Sequence, residues 1–320
     1  MRLNFKKDFL LVTAMLVAAG CSDSMTGENN PEQQVPIAFG TQVATRAVVE
    51  SDKEGMDNFT LWGWVRESDG PKLFFDAVPV TPSGNYGEKR FWAVGRPYGF
   101  YAVHPEKMKE NNIATEVSCN DKGELRVTGF DSSEMGKGAV DLMTAAKTDV
   151  VYEGGGMMAP VLLAFKHELA QVKFTVCTGE KQAEVSDIRL LGVGYKGDLL
   201  WTPEESTWQN RINCTEEGTP FVRSESVRIE AGSSVPVLDS VLLLPQPVTE
   251  HVAVTFKYAY AGKPLSEAKE AMVYLDVAQT TEWIKSSTYH YKITLPAADA
   301  DITVKVNVGD WDSKDISADW

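Results

Sequence analysis

The 320-residue sequence is short of the residues that build disulfide scaffolds and metal sites, with only four cysteines and four histidines. If Cys21 is modified, Cys119, Cys177 and Cys214 permit at most one internal disulfide, and none of them forms a C-x-x-C pair. The histidines are scattered singly, so a zinc site would have to be assembled by the fold alone. We therefore predict no metal site, no cofactor and no disulfide scaffold.

Motifs of common enzyme classes are also missing. The chain has no G-x-S-x-G elbow, no H-E-x-x-H pair and no P-loop lysine. A G-x-G-x-x-G run at 192–197 is followed by a strand-like segment and Pro203, whereas a dinucleotide site needs a helix at that point. Nothing supports a paired-carboxylate hydrolase. We predict that the protein is not an enzyme.

Basic residues are in the minority. The chain has 31 Lys and Arg against 45 Asp and Glu, for a formal net charge of −14. A negative field of this kind repels phosphate backbones, so nucleic acid is a poor partner. The hydrophobic content of 43% is ordinary for a folded globular chain, and the length predicts two domains.

The amino terminus carries an apolar stretch, residues 9–19, that is too short to span a bilayer as a helix. Three basic residues precede it, as in a secretory signal. It ends in Ala18-Ala19-Gly20-Cys21, which resembles the lipobox of bacterial lipoproteins. The resemblance implies removal of residues 1–20 and lipid attachment at Cys21; an ordinary secretory signal is the alternative. The polar segment that follows predicts a flexible tether.

Short runs of alternating apolar residues, bounded by Gly, Pro, Asn and Asp, predict half-buried β-strands throughout. The clearest lie at 172–176, 252–258, 289–295 and 302–308, and aromatic-rich runs fill 59–103. Helical periodicity is weak, with short candidates at 106–111 and 141–147. The pattern predicts an all-β chain.

A glycine-rich link at 152–160 separates the two strand-rich blocks and predicts a domain boundary. We therefore expect one β-sandwich over 47–158 and a second over 159–320. Trp62 and Trp64 lie two apart in a predicted strand and share a face, which favours core packing over a sugar platform. Trp201 and Trp208 are candidates for glycan stacking.

The segment after the tether places Val35, Ile37, Phe39 and Val43 on one face of a strand and continues into Thr45-Arg46-Ala47. Further patterns follow in order along the chain: residues 141–145, residues 163–174, Trp283, residues 289–291, and a terminal strand at 302–308 before Trp311. Together with the lipobox, these patterns resemble the fimbrillin-like lipoproteins of Bacteroidales bacteria, the type V pilus subunit family. The resemblance covers nearly the whole chain.

This resemblance implies two β-sandwich domains of transthyretin-like topology in tandem after the lipoprotein signal. It implies export to the outer membrane and a place in a fimbrium at the cell surface. An arginine-specific protease would cut between Arg46 and Ala47 and release residues 21–46, the tether and first strand. A strand of the next subunit would then fill the vacated groove.

The donor strand is the second element that the resemblance implies. Candidates are Ile302, Val304, Val306 and Val308, or the tail after them. The implied partners are other fimbrial subunits, the outer membrane through the lipid on Cys21, and a host or bacterial surface ligand.

Several alternatives stay open. Stalk, tip and anchor subunits share this architecture; Arg46 could be an exposed linker arginine, and the strand at 302–308 could belong to its own domain. His167 is expected to be a half-buried structural histidine. The alternative function is an outer-membrane, lipid-anchored glycan-binding protein that does not polymerise and that uses Trp201 or Trp208.

The mature amino terminus separates these possibilities. For protein recovered from the cell surface, intact mass and amino-terminal sequencing should give a chain that begins at Ala47 and carries no lipid. A chain that begins at lipidated Cys21 with residues 35–46 intact would contradict a stalk role. It would favour an anchor subunit or a glycan-binding lipoprotein.

Overall fold

The computed structural model describes residues 34–43, 56–215, 217–276, 280–296 and 301–311, and these residues form β-strands joined by turns. In chain order the strands are β1 (Phe39–Val43), β2 (Phe59–Glu67), β3 (Gly70–Val80), β4 (Pro97–His104), β5 (Glu116–Cys119), β6 (Leu125–Asp131), β7 (Met143–Val151), β8 (Val161–His167), β9 (Ala170–Cys177), β10 (Ala183–Leu191) and β11 (Gly194–Trp201). They continue as β12 (Ser206–Asn213), β13 (Val222–Arg223), β14 (Val227–Ile229), β15 (Ser234–Leu243), β16 (Gln246–Pro247), β17 (Ala253–Tyr260), β18 (Lys269–Tyr274), β19 (Glu282–Trp283), β20 (Ser287–Thr294) and β21 (Thr303–Asp310). Two 3-10 turns lie at Gly136–Gly138 and Leu265–Glu267. The predicted all-β class is confirmed.

The four clearest alternating runs of the sequence form β9, β17, β20 and β21, as predicted. The glycine-rich run at 192–197 forms a turn and the start of β11, in agreement with a strand rather than a nucleotide site. The helix candidate at 141–147 is wrong, because β7 occupies most of it. β7 lies between β4 and β8 in the sheet and buries residues on both faces, so its sequence does not alternate.

The first sheet has the strand order β1-β8-β7-β4-β2-β3. One of its faces buries an aromatic-rich core that includes Phe59, Phe75, Phe100 and Phe165. Gly63 in β2 allows this close packing, since a Cβ there would lie 2.9 Å from the ring of Phe75. The chain between β3 and β4 contributes Trp92 and Tyr86 to the same core.

Two further sheets form a sandwich in the second half of the chain. Their strand orders are β13-β10-β17-β18, with β14 also on β10, and β15-β9-β20-β21. Both sheets pack against one core, in which Phe174, Tyr291 and Trp283 are among the largest buried side chains. The Trp283 indole donates a hydrogen bond to the Tyr291 hydroxyl at 2.9 Å. Burial raises the pKa of Tyr291 to about 12.

A fourth sheet, β12-β11-β6-β5, combines strands from both halves of the sequence. It contributes to a third core that also includes the outer face of β2. Trp62 and Trp64 are both buried in this core, as their shared face predicted. The first and second halves of the chain are therefore joined by a common sheet as well as by sequence.

The glycine-rich link at 152–160 connects β7 to β8, which are neighbours in the first sheet. The first sheet therefore takes in the chain as far as His167, whereas the sequence placed a domain boundary near 158. The link is rich in glycine because it turns sharply: Gly154, Gly155 and Gly156 all have positive φ. The division into sandwiches at 47–158 and 159–320 stays a prediction, as does the transthyretin-like topology.

Cys119, Cys177 and Cys214 carry free thiols. Among the described residues, no helix is both long enough and apolar enough to cross a membrane.

The crossing from β8 to β9 is held by a buried carboxylate. Glu168 is fully buried, and its two carboxylate oxygens accept hydrogen bonds from the Thr144 hydroxyl at 2.7 Å and from Lys285 Nζ at 2.9 Å. Lys285 Nζ also donates to the Ser206 hydroxyl at 2.7 Å. Side chains from β7 and from the segment before β20 thus converge on Glu168, and Ser206 of β12 joins them through Lys285.

Replacing Lys285 with methionine is expected to lower the free energy of unfolding by about 2–3 kcal/mol, because Glu168 would keep a buried charge with no cation beside it. The expected loss is smaller than for a fully buried pair, since part of Lys285 is exposed. Urea unfolding measures the effect. In the matched control Arg228→Met, which breaks an exposed pair with Glu230, the change should stay below about 1 kcal/mol. Equal losses in the two variants would contradict a structural role for Glu168.

Candidate functional site

The first strand occupies an edge position of the first sheet. β1 runs parallel to β8, with Phe39 opposite Val161 and Val43 opposite Phe165. β8 pairs with β7 only at its end, at His167 and Lys166. Most of β8 therefore has β1 as its backbone partner, and loss of β1 would leave that edge of β8 unpaired.

The residues before β1 are also bound to the sheet core. The Ile37 amide donates to the Arg90 carbonyl at 2.8 Å, and the Trp92 amide donates to the Val35 carbonyl at 3.0 Å. Pro36 forms a bridge with Phe91. The segment 35–43 is thus held on one side by β8 and on the other by the chain between β3 and β4.

The alternation predicted from the sequence matches the burial of this segment. Val35, Ile37 and Phe39 are buried, with Ile37 and Phe39 only 2% and 4% exposed, and Val43 is half-buried. Gln42 is exposed. The apolar positions face the core of the first sheet because side chains of a strand alternate between its two faces.

Phe39 is the centre of an aromatic cluster. Its ring lies edge-on to Phe75, Tyr86 and Phe100, with centroid distances of 5.5, 5.6 and 5.2 Å. Edge-on pairs of this kind stabilise beyond the area they bury. Burial of Val35, Ile37 and Phe39 contributes roughly 5–9 kcal/mol by area. An intact chain therefore keeps this strand in place.

Sequence reasoning missed the residues that complete this slot. The Tyr86 hydroxyl donates to the Ile37 carbonyl at 2.8 Å, and the Thr41 hydroxyl donates to the Pro82 carbonyl at 3.0 Å. Gly84 has φ +83°, and a Cβ there would lie 2.1 Å from the Phe39 carbonyl oxygen. Only glycine fits so close to the strand backbone. The run Pro82-Ser83-Gly84-Asn85 signals a turn, but nothing in it indicates which strand the turn approaches.

The connector between β1 and β2 contains the predicted cleavage point. Arg46 and Ala47 lie outside the described residues, as does the predicted lipid site at Cys21.

The donor-strand candidate forms β21 at the edge of its own sheet. Among the strands that the structure describes, β21 pairs only with β20, over the full register from Thr294 opposite Thr303 to Ser287 opposite Asp310. Ile302, Val304 and Val306 are half-buried against the core of the second sandwich, whereas Val308 is 51% exposed. The strand therefore buries less than the inner strands of its sheet.

The end of β21 contacts the end of β8. The ring of Trp311 stacks on that of His167, with centroids 4.5 Å apart. His167 Nδ1 is also 2.7 Å from an Asp141 carboxylate oxygen. His167 is thus more deeply buried than the half-buried histidine predicted, and the contacts are structural in kind.

The two tryptophans proposed for glycan stacking belong to the third core or pack against it. Trp201 is buried there, so little of its ring is open to a sugar. Trp208 is half-buried against the same core, and its indole donates to the Glu168 carbonyl at 3.3 Å. Among the described residues, no group of three or more His, Cys, Asp or Glu side chains could hold a metal ion.

Phe39→Ala is expected to lower the free energy of unfolding of the intact chain by about 3–5 kcal/mol, because the aromatic slot would be left partly empty. Gln42→Ala, on the exposed face of the same strand, should change it by less than about 0.5 kcal/mol. Urea unfolding compares the two variants. Similar losses for both would show that the slot does not depend on the buried face of β1.

Most of the chain matches a known protein family. A family model described as fimbrillin-like matches residues 45–311. The matched range begins just before Arg46 and leaves β1 outside. No curated protein matches the sequence.

Solved structures with a similar fold come from Bacteroides species. A fimbrial protein of Bacteroides vulgatus has 15% identity and a TM-score of 0.59, and the match covers 86% of this chain and 99% of that one. A candidate cell adhesion protein of Bacteroides ovatus has 13% identity and a TM-score of 0.51, covering 89% of this chain and 100% of that one. At these identities the likeness concerns the fold.

Proposed function

We propose that the chain, which belongs to the fimbrillin-like family, is a fimbrial subunit or fimbrillin-like adhesin of the cell surface that assembles by protease-triggered strand exchange. The observation that carries this proposal is the position of β1. It is an edge strand with a buried apolar face, and its connection to β2 runs through the segment that contains Arg46.

Cleavage after Arg46 would change how β1 is held. In the intact chain the strand is tethered, so it returns to its slot whenever it leaves. After the cut, residues 21–46 are bound only by hydrogen bonds and apolar contacts and can diffuse away. The slot between β8 and the 81–92 segment would then expose unpaired backbone groups and the aromatic side chains around Phe75.

An incoming strand of another subunit would restore both kinds of contact. It would pair with β8 and place apolar side chains at alternate positions over the aromatic slot. The contacts that the incoming strand forms would replace those lost with β1. Polymer growth therefore needs no external energy source.

β21 is the strand that the second half can release most easily. Among the described strands it has one backbone partner, and Ile302 just before it and Val304 and Val306 within it are only half-buried in place. Their alternation matches that of Val35, Ile37 and Phe39. The stack of Trp311 on His167 places the end of the donor on the end of β8, the strand that borders the acceptor groove. Release of the donor requires this stack to separate.

The place of the subunit follows from the same steps. Lipid on Cys21 would hold the precursor at the outer membrane, and cleavage after Arg46 would remove the lipid together with the tether. A subunit that keeps residues 21–46 would stay at the membrane as an anchor. The glycan-binding alternative without polymerisation loses support at Trp201, which is buried.

The test uses the purified full chain and an arginine-specific protease. The wild-type protein should be cut after Arg46 and then form polymers, seen by electron microscopy and by size-exclusion chromatography. Arg46→Ala should remain monomeric under the same treatment, whereas Arg66→Ala, which alters an exposed arginine of β2, should polymerise normally. Polymerisation of Arg46→Ala to the wild-type extent would contradict the proposal.

A reversible lock identifies the donor in the same assay. Lys292 and Lys305 lie opposite each other in β20 and β21, so a Lys292→Cys/Lys305→Cys variant can tie β21 down by a disulfide. When oxidised, this variant should be cut and yet stay monomeric, and reduction should restore polymers. Equal polymerisation of the oxidised form would exclude β21 and leave the tail after Trp311 as the donor.

A further inference from the structure

A cavity of about 260 Å³ opens beside the first sheet, away from the strands considered above. Its walls come from β2, β3, β4 and β7, from the turn between β5 and β6, and from the turn between β11 and β12. None of its lining residues belongs to β1 or β21. Strand exchange therefore gives this cavity no role.

Tyr101 lines the cavity, and its ring is fixed in position. The ring lies edge-on to Trp64, with centroids 5.8 Å apart. The backbone of Gly123 covers the other side: this residue has φ +78°, and a Cβ there would lie 2.1 Å from the Tyr101 ring. A side chain at Gly123 would thus displace the ring.

The hydroxyl of Tyr101 lies beside two glycines, Gly99 and Gly123. Gly99 lies next to it, and a Cβ at Gly99 would lie 3.2 Å from the hydroxyl oxygen, so the glycine leaves room there. The hydroxyl makes no hydrogen bond to any residue that the structure describes, although the tyrosine as a whole is only 8% exposed. A polar group held rigidly in a cavity without a partner is suited to bind a ligand.

The charge around the cavity is mixed. Burial raises the pKa of Tyr101, with smaller contributions from Cys119, Asp149 and Glu204. A tyrosine hydroxyl is protonated near neutral pH and can donate a hydrogen bond. Both carboxylates and Arg66 act on the hydroxyl electrostatically and line the cavity. Arg66 and Asp149 are 3.9 Å apart and largely exposed, so their donors and acceptors are open to a ligand.

The remaining wall supplies one more charge of each sign. Asp121 and Lys122 come from the turn between β5 and β6. Trp64, Pro97 and Pro203 also line the cavity, but most of its exposed surface is polar. Three carboxylates against two cations leave little net charge, so the cavity matches an uncharged ligand that both donates and accepts hydrogen bonds.

We propose that this cavity binds one ring of an uncharged saccharide, with the Tyr101 hydroxyl, Arg66 and the Asp149 and Glu204 carboxylates bonded to sugar hydroxyls. Sugar hydroxyls are both donors and acceptors, which matches the mostly polar lining. At about 260 Å³ the volume lies just below the range for ligand cavities, about 300–1,000 Å³, so it suits no more than a single ring. The site is separate from Trp208, and it gives the protein an adhesive contact that its assembly does not require.

The test is ligand-observed NMR on the intact, uncleaved chain with glucose, galactose, mannose and N-acetylglucosamine. At least one of these sugars should bind, and Tyr101→Phe should weaken its binding about three- to tenfold through loss of one hydrogen bond. Gly99→Ala should weaken it as well, because the methyl group narrows the space beside the hydroxyl. Tyr274→Phe removes the hydroxyl of an exposed tyrosine on β18 and should leave binding unchanged.

Tyr101→Phe removes no hydrogen bond to a described residue, so thermal melting should match that of the wild type. The inference is overturned if no sugar of the panel binds, or if binding is insensitive to Tyr101→Phe and Gly99→Ala. Loss of binding in Trp208→Ala alone would instead assign the sugar to the third core. The protease assay on Tyr101→Phe should still give polymers, so failure of this site and failure of strand exchange have separate readouts.

Discussion

The buried carboxylate of Glu168 holds the point where the chain leaves the first sheet and enters the second sandwich. It lies between β8 and β9, and it is bonded to Thr144 of β7 and to Lys285 before β20. A buried charge is tolerated only where such partners converge, so its place fixes the ends of several strands at once. The direction of β8, and with it the slot that β1 fills, depends on this junction.

The same junction joins the two strands that the proposed assembly would exchange. β1 lies along β8, and the last residue of β8, His167, stacks on Trp311 after β21. The proposed acceptor groove and the end of the proposed donor strand therefore both lie against β8, although they stand at opposite ends of the sequence. A subunit built in this way can keep both strands in place until a peptide bond in the connector is cut.

The alternating runs predicted most of the strands, because a half-buried strand shows a period of two in its own residues. They failed at β7, which is buried on both faces, and they gave no sign that β8 returns to the first sheet across the glycine-rich link. Within the candidate site, the buried face of residues 35–39 could be predicted from the sequence. Tyr86 and Gly84 could not, since their role depends on how the turn after β3 folds over β1.

The sequence by itself determined the all-β class, the acidic character of the chain, and which residues of each strand face a core. It could do so because these properties are local or summed over composition. The tertiary structure decided which core each face enters: Trp201 became interior, and Tyr101 came to line a cavity together with residues of two distant turns. Pairing between distant strands decides such outcomes. It depends on the packing of side chains that are far apart in the chain, and no local pattern records that packing.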